Sequence, residues 1–543
     1  MTVLAERRVG GAANQGPAPG PRAWIRRELP WLAATVAAAL NALAFALIAP
    51  NVNDIFAAVA RESAALHGVG LKYWFSWFGG GSTPGSYSVL TPYLSAALGA
   101  VPLAALATAA ITPAAWLALR DTPHPVAGLW VATATAALNL WSGRVPFALG
   151  CLFSVLVAIF LMRRRAWPAA VFAVLTVAAS PVSAAFLGIL LAGLFLARRE
   201  WRHICLAVAL PLGVALIAVA TLFGQPGPEP FNFLQLLQLV ACLALFLIAS
   251  PPDWLKASIW LTLVAGPLLL VVPNGLGDNL LRFAWYCLPA VVVATSARPL
   301  RVVCLAVVLP LVFSTKQSVG DVFAGSSKTA SPNYYTSLTR ELDTLRTPLL
   351  SYRLEVVEDG THTASYALLD HAMLARGYEY QEDNALNKVL SDPKLDATQY
   401  KLWLDNNAVG FVAISSTHRK MSPEYALVSE HRPAYLVPEW FDDKWTVYRV
   451  QDANAIVKAP VTVTAFSQAK LVLRVPCACK FTVRLHNPEN LRAVLTPPAR
   501  TAAKHTETVR AKLQDDGFGW TTMTTPKPGV YTLSGNSTAG IVR

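Results

Sequence analysis

Eleven apolar runs occupy most of the first 315 residues and constrain the fold more than any other feature of the chain. Most have the length of a helix that crosses the hydrocarbon core of a bilayer, and several are slightly shorter. They occupy residues 31–50, 88–119, 125–141, 146–162, 166–180, 182–197, 203–223, 232–250, 257–272, 283–297 and 302–314. The sequence therefore predicts a polytopic α-helical membrane protein with about eleven transmembrane helices.

Charged residues are scarce in the part of the chain that contains the apolar runs. The first 315 residues carry 19 Lys/Arg and 9 Asp/Glu, whereas the remaining 228 carry 26 and 23. The first part therefore suits lipid and the second part suits water. Most of the net charge of +13 belongs to the apolar part, so the polar part has no basic excess that would favour nucleic acid as a partner.

The basic residues near the apolar runs predict the orientation, because Lys and Arg in short loops stay on the cytoplasmic side. Eleven crossings put 15 of them inside and leave four outside, namely Arg61, Lys72, Arg144 and Arg282. A second crossing within 88–119 would reverse this bias, so we expect one tilted or kinked crossing there. The run from 166 to 197 breaks at Ser180-Pro181 and predicts two short helices.

Four regions follow along the chain. Residues 1–29 are predicted to form a disordered, basic cytoplasmic leader, and 30–315 a transmembrane domain with a long first outer loop, 51–87. Helical patterns at 334–345, 364–376 and 397–406, with strand patterns at 353–357, 409–415 and 445–450, predict an extracytoplasmic α/β domain over 316–454. Strand patterns such as 470–475, alternating with Pro, Asn and Gly turns, predict an extracytoplasmic β-sandwich over 455–543. The expected location is the plasma membrane, with the N-terminus in the cytoplasm.

Asn51, Asn53 and Asp54 directly follow the first apolar run. A carboxylate at the outer membrane boundary makes Asp54 the first candidate for chemistry. The alternative is a helix cap, since Asp or Asn before a helix accepts hydrogen bonds from free backbone N–H groups. One residue can serve both purposes.

The rest of the first outer loop contains His67, Lys72, Tyr73 and a glycine-rich turn at 79–81. Its Tyr, Trp and Phe side chains predict a segment lying on the membrane surface. The glycines offer an alternative, because they permit close approach of a ligand to the backbone.

Two further outer loops each contain one arginine, Arg144 and Arg282, and Asp278 precedes Arg282 by four residues. An exposed helical ion pair would explain Asp278 and Arg282. Arginine at the outer mouth of a helix bundle also suits a lipid phosphate, because its guanidinium matches phosphate oxygens with two donors.

Other motifs narrow the chemistry. The sequence has no Walker-type loop, HExxH, Gly-x-Ser-x-Gly or haem-attachment motif. Its histidines form no ligand cluster, so no metal site is predicted, and Cys477 and Cys479 favour neither a metal nor a redox role. Acidic-aromatic runs at 378–384 and 439–443 suit sugar rings or a solvated loop.

The order of these features resembles the GT-C class of integral membrane glycosyltransferases: a first span, an acidic residue, a long outer loop, further spans and an outer C-terminal domain. Segments 68–78, 140–147, 374–381 and 403–409 also resemble a set of polytopic membrane proteins of actinobacteria. The resemblance to the GT-C class implies that the donor is a polyprenyl-phosphate-linked sugar held in the membrane lipid. It also implies that the acceptor is an envelope glycan or glycolipid.

The GT-C resemblance also implies roles for residues. Asp54 would be the catalytic acid of the first outer loop, with Asp278 as a second acid. The chain departs from the pattern of paired loop acids, since Asn53 precedes Asp54. Residues expected to bind substrate or phosphate are Arg282, Arg144, Lys72, Tyr73, His67 and Asn53. A divalent cation at Asp54 is an alternative that no ligand set indicates.

The hypothesis from sequence is therefore an envelope glycosyltransferase. The alternatives are a non-catalytic transporter or flippase for an envelope glycolipid, and an assembly subunit. The spans lack the chain of buried acids or histidines that a proton-coupled transporter would use.

Overall fold

A computed structural model describes residues 21–224, 227–418, 420–496 and 509–536. Most of the predicted leader lies outside these residues. Its last part does not, because the first helix already begins at Pro21. The prediction of a disordered segment as far as residue 29 is therefore corrected.

In the described part of the chain, fourteen α-helices precede residue 326. They are α1 (Pro21–Ile48), α2 (Asn53–Leu66), α3 (Thr91–Leu98), α4 (Ala100–Leu119), α5 (Pro125–Leu140), α6 (Val145–Met162), α7 (Ala166–Ala179), α8 (Pro181–Ala197), α9 (Arg202–Phe223), α10 (Phe233–Ile248), α11 (Asp253–Val271), α12 (Asn279–Arg282), α13 (Leu288–Thr295) and α14 (Leu300–Gly325). Within the described residues, six helical segments are long and apolar enough to span a membrane, and five apolar helices are shorter. The chain is thus a polytopic membrane protein.

Large apolar side chains on these helices point away from the protein. Leu47, Val214, Ile217, Val271 and Leu305 are all more than half exposed. Exposed apolar surface on this scale is unfavourable in water and expected in lipid. The outer faces of the bundle therefore support membrane insertion independently of helix length.

Two apolar runs are interrupted. The run 88–119 breaks at Gly99, whose φ of +86° separates α3 from the span-length helix α4. The run 166–197 breaks between α7 and α8, where the Ser180 hydroxyl accepts a hydrogen bond from the Ser183 backbone. The predicted break at Ser180-Pro181 is the one the structure contains.

Helix α14 extends beyond the boundary at residue 315. Its last turns carry Gln317, Ser318 and Asp321. Ser318 bonds to the backbone of α5, and Gln317 bonds to Asp321, so the polar turns are supported by contacts within the protein. The first domain therefore ends near Gly325, and the predicted boundary at 315 is too early.

An α/β region follows, with six short helices around a four-stranded sheet. The helices are α15 (Thr336–Thr344), α16 (Arg346–Leu349), α17 (Ala364–Ala367), α18 (Tyr380–Leu386), α19 (Ala397–Asn406) and α20 (Pro423–Ala426). The strands are β1 (Arg353–Val356), β2 (Val409–Ser415), β3 (Leu436–Phe441) and β4 (Trp445–Val450), in the order β1-β2-β4-β3. Only β1 and β2 are parallel.

The segment 364–376 was predicted as one helix, but only Ala364–Ala367 is helical. Its second half pairs with β1 instead, because the backbone N–H groups of Leu354 and Ala375 bond across to Met373 and Leu354. Edge pairing to the sheet thus overrides the local helical pattern.

The C-terminal region consists of two antiparallel sheets that share one core. Strands β5 (Thr462–Ser467), β6 (Lys470–Val475), β11 (Gly529–Gly535) and β8 (Leu491–Leu495) form the first sheet, in that order. Strands β7 (Lys480–Val483), β10 (Thr521–Thr524) and β9 (Lys512–Asp515) form the second. Leu473, Tyr531, Val483 and Met523 bring the inner faces together in one buried cluster. The arrangement is a small β-sandwich.

The aromatic part of the first outer loop is buried in the C-terminal region and does not lie on the membrane surface. Trp74, Trp77 and Phe78 pack in one core with Leu338 and Trp445. Their burial removes the apolar rings from lipid and from water together. The predicted interfacial segment is therefore a structural link between the membrane part and the α/β region.

Candidate functional site at the outer mouth of the helix bundle

Asp54 lies in the first turn of α2 but does not cap it. The N-cap residue is Val52, and no side chain caps this helix. The Asp54 carboxylate, 27% exposed, instead accepts hydrogen bonds from Arg144 Nε at 2.9 Å and from the Tyr378 hydroxyl at 2.9 Å. Its oxygens are engaged by side chains from two distant parts of the chain.

Arg144 reaches Asp54 because the turn between α5 and α6 packs directly against the start of α2. Gly143 in this turn has φ +77°, and a Cβ added there would lie 2.6 Å from the Ile55 backbone nitrogen. Only glycine allows this approach. Arg144 is 5% exposed, and its Nη2 also lies 3.3 Å from Oδ2 of Asp321. One buried guanidinium therefore joins two carboxylates.

A five-residue π-helix, Phe283–Cys287, forms another wall of the site. The guanidinium of Arg144 lies over the ring of its Tyr286, 5.5 Å from the ring centre. The Tyr286 hydroxyl is 3.3 Å from Ser318 Oγ on α14. Single π-helical turns of this kind occur frequently at functional sites, because they turn side chains out of the regular helical register.

Arg282, which precedes the π-helix, is a partly buried cation without a bonded partner. Within the described residues it makes no ion pair and no side-chain hydrogen bond. The alternative of a direct ion pair with Asp278 is therefore not found, and Asp278 accepts a hydrogen bond from Gln235 at 3.3 Å. Arg282 still acts on Asp278 over a longer distance, because its charge opposes the rise in pKa that burial causes. The Arg282 charge is nevertheless close enough to lower the pKa of Asp54.

These charges keep Asp54 ionised. Burial alone would raise the pKa of the Asp54 carboxyl, but Arg144, Arg282 and the Tyr378 hydrogen bond together hold it below its usual value. Burial would lower the pKa of Arg144, yet Tyr286, Asp54 and Asp321 raise it. The mouth therefore combines a carboxylate whose ionised form is favoured with two nearby arginine side chains.

A second pair of acids lies beside Arg282. Burial, and then the neighbouring Asp278, raise the pKa of Glu229 to about 7. Burial also raises the pKa of Asp278. The Glu229 carboxyl is therefore largely protonated below about pH 7. The charges of Arg144 and Asp54 also act on Asp278, so this carboxyl, predicted as a second acid, lies near the same mouth.

The α/β region covers the mouth through residues that follow Gly377. Glu379 forms a buried ion pair with Arg61 of α2, and the Arg61 guanidinium lies over the rings of Trp77 and Tyr87. Glu382 accepts a hydrogen bond from Ser82 at 3.1 Å. The cover is therefore attached to both the start and the end of the first outer loop.

The structure places three other predicted substrate-binding residues elsewhere. His67 follows the far end of α2, about 20 Å along the helix from Asp54, and contacts Gln468. Tyr73 is buried in the β-sandwich core, and Lys72 is its neighbour in the chain. Only the backbone of Asn53 is described, so its predicted role lies outside the described side chains.

The glycine-rich turn packs against protein. A Cβ at Gly79 would lie 2.7 Å from the Arg353 guanidinium, and one at Gly81 would lie 2.7 Å from His486. The side chains that closely approach these glycines belong to the C-terminal region. The interpretation of this turn as a ligand contact is therefore corrected.

The chain matches no protein-family model, and no curated protein matches it. Within the described residues, no group of three or more His, Cys, Asp or Glu side chains is arranged to hold a metal ion. The assignment of function therefore depends on the geometry of the mouth.

Sequence reasoning missed Asp321 and Tyr378 as site residues. Asp321 lies beyond the last apolar run, but it continues the helical spacing of Gln317 and Ser318, which is the signal that a polar helix end faces inward. Tyr378 begins an acidic-aromatic run that does not reveal its partner. Arg61 was already one of four basic residues assigned to the outer side.

Proposed function

We propose that the protein is a cell-envelope glycosyltransferase that moves a sugar from a polyprenyl-phosphate donor to an envelope glycan or glycolipid. The observation that carries the proposal is the pairing at one mouth of an ionised carboxylate, Asp54, with a nearby cation, Arg282, that has no bonded partner among the described residues. A donor of this kind brings a phosphate for the cation and a sugar carbon for attack. Because the protein is inserted in a membrane, the apolar polyprenyl chain of the donor can remain in the lipid.

The proposed reaction balances in atoms and charge. The oxygen of an acceptor hydroxyl forms a bond to the anomeric carbon of the sugar, and the bond from that carbon to the phosphate oxygen breaks. The hydroxyl proton passes to Asp54 and then to water, and the electron pair of the broken bond stays on the polyprenyl phosphate. Arg282 binds the phosphate as its charge increases.

Electrostatics favours Asp54 over the neighbouring carboxyl groups as the group that accepts the proton of the acceptor hydroxyl. Its pKa is lowered, so the carboxylate is present at neutral pH to accept a hydroxyl hydrogen and to stabilise a positively charged sugar. Asp321 shares Arg144 with Asp54, and it acts by holding Arg144 in place. Arg144 in turn positions Asp54.

The proposal includes the topology. Six span-length helices and five shorter apolar ones coincide with the eleven apolar runs, which supports eleven crossings. An odd number of crossings puts the mouth and the C-terminal region outside the cytoplasm. The disulfide between Cys477 and Cys479 is consistent with that side, because disulfides persist in oxidising compartments.

The test uses the full-length protein in lipid nanodiscs with radiolabelled polyprenyl-phospho-mannose, -galactose and -arabinose, and with isolated envelope glycan as acceptor. Asp54→Asn should lower the transfer rate about 10²- to 10⁴-fold. Arg282→Gln should raise KM for the donor. Asp370→Asn is the matched control, because Asp370 is 56% exposed and lies near His67.

Equal transfer by the parent protein and Asp54→Asn would refute the assignment. Absence of transfer by the parent with all three donors would refute it as well. In that case the same protein is reconstituted in vesicles that contain a fluorescent glycolipid. Movement of the glycolipid across the bilayer would indicate a flippase, and its absence an assembly subunit.

A further inference from the structure

A cavity of about 750 Å³ lies between the α/β region and the β-sandwich, outside the mouth that contains Asp54. Its lining includes Phe78, Trp403, Phe518 and Trp520. Small-molecule sites in proteins have volumes of this order and combine aromatic walls with a few directed polar groups. The cavity therefore has the size of a ligand site and a lining that combines aromatic rings with many polar groups.

The rim of the cavity presents an aromatic ring to solvent. Phe518 is 88% exposed, at the tip of the turn between β9 and β10. This turn is held in place, because Asp516 Oδ1 accepts hydrogen bonds from the backbone nitrogens of Phe518 at 2.8 Å and Trp520 at 3.0 Å. The exposed ring of Phe518 is therefore presented at the rim of the cavity, where a ligand can cover it.

Trp520 adds a second flat surface beside Phe518. It packs on the ring of His486 with 4.1 Å between ring centres. Burial and the nearby Arg353 lower the pKa of His486 to about 4, so this imidazole is neutral at physiological pH. The Trp520 ring therefore packs on a neutral imidazole, and the Arg353 guanidinium lies over it, 5.6 Å from the ring centre.

Polar groups surround the aromatic surfaces. Asn406 and Asn407 from the end of α19, Asp516 and Arg484 line the same cavity. Amide, carboxylate and guanidinium groups can donate and accept hydrogen bonds in several directions. This combination matches a sugar, which has apolar C–H faces and hydroxyl groups around its edge.

We propose that this cavity binds a short segment of envelope glycan. Aromatic rings at the rim stack on sugar faces, and the amide and charged groups bond to hydroxyls. The inference goes beyond the proposed transferase reaction, because binding here requires no chemistry at Asp54.

The cavity is also connected to the first outer loop. The buried guanidinium of Arg353 donates to the carbonyl oxygens of Asn407 at 2.5 Å, Gly79 at 2.6 Å, and Arg484. Two of these residues line the cavity, and Gly79 belongs to the loop that leads to Tyr87 beside the mouth. A glycan held in the cavity would therefore contact residues that Arg353 joins to the loop leading to the mouth.

Binding is tested with full-length protein in detergent micelles and with labelled tetrasaccharides of mannose, galactose and arabinose as probes. At least one probe should bind the parent protein, and Phe518→Ala should weaken that binding about tenfold. Phe441→Ala is the matched control, because Phe441 is also a highly exposed phenylalanine, on β3, and does not line the cavity.

Three results would overturn the inference: no binding of any probe to the parent, unchanged affinity in Phe518→Ala, or an equal loss in Phe441→Ala. Asp54→Asn should bind the probe as the parent does. Its binding separates the two proposals, since transfer can fail while the cavity still holds glycan.

Discussion

The Tyr378 hydroxyl donates a 2.9 Å hydrogen bond to Oδ1 of Asp54, although 324 residues separate them in the chain. Asp54 belongs to the membrane part and Tyr378 to the α/β region. The carboxylate is therefore held in part by a residue of the C-terminal half. The membrane part alone does not complete this site.

Tyr378→Phe should destabilise the protein by about 1.5–3 kcal/mol, the typical contribution of a hydrogen bond to a charged group. The ring is retained, including its edge contact with His362, so the loss reports on the hydroxyl. Thermal unfolding in detergent measures it. Tyr380→Phe, at a side chain that is 54% exposed, should leave the unfolding temperature unchanged, and equal shifts in both variants would contradict the prediction.

The buried ion pair between Arg61 and Glu379 joins α2 to the α/β region. Removing either partner leaves the other charge buried, which typically costs about 3–5 kcal/mol. We therefore expect Arg61→Met and Glu379→Gln each to destabilise the protein strongly, and the double variant to be less destabilised than the sum.

A double-mutant cycle from thermal unfolding measures this coupling. The exposed pair of Arg449 and Glu439 provides the control cycle, because exposed pairs contribute only about 0–1 kcal/mol. Additive effects at Arg61 and Glu379 would mean that the two side chains do not interact in solution.

The strongly periodic parts of the chain could be predicted from sequence. The apolar runs correspond to helices, and strands such as Lys470–Val475 have the predicted bounds. Helix Ala397–Asn406 also has its predicted bounds, with Asp396 as a capping residue. Such elements are determined by local patterns of hydrophobic residues and turn signals.

Contacts across the chain could not be predicted in the same way. Arg144 was a candidate for its charge and its loop, but its pairing with Asp54 and Asp321 depends on how three helices pack. The aromatic residues at 73–78 have the composition of a membrane anchor, and only the presence of the C-terminal region explains their burial. Tertiary packing decided these cases.

Glu382 should make stability depend on pH. Burial raises the pKa of its carboxyl to about 7, despite the Ser82 hydrogen bond and the Arg61 charge, which lower it. The folded state therefore binds more protons than the unfolded state between the ordinary pKa of 4.5 and about 7, and this group makes the free energy of unfolding fall as pH rises through that window.

Unfolding temperatures measured from about pH 5 to about pH 8 test this dependence. Glu382→Gln keeps an acceptor for Ser82 but does not titrate, so it should gain stability relative to the parent as pH rises. Glu200→Gln, at an exposed carboxylate, should follow the parent. A constant difference between Glu382→Gln and the parent over this range would show that Glu382 does not titrate there.

Gly143 is the position where the smallest change should disturb the site most. Its φ of +77° disfavours any side chain, and the new methyl group of Gly143→Ala would lie 2.6 Å from the backbone nitrogen of Ile55. Because backbone cannot rotate aside as a side chain can, the turn must move away from α2 and take Arg144 from Asp54. We expect Gly143→Ala to lower the free energy of unfolding by about 1–3 kcal/mol, the range for overpacking.

Gly213→Ala is the control, since a methyl group there would have no atom within 4 Å. Because alanine replaces a glycine within a helix, this change should be neutral or stabilising by up to about 1 kcal/mol. Thermal unfolding separates the two variants, and a Gly143→Ala protein as stable as Gly213→Ala would mean that the turn does not pack on α2 as described.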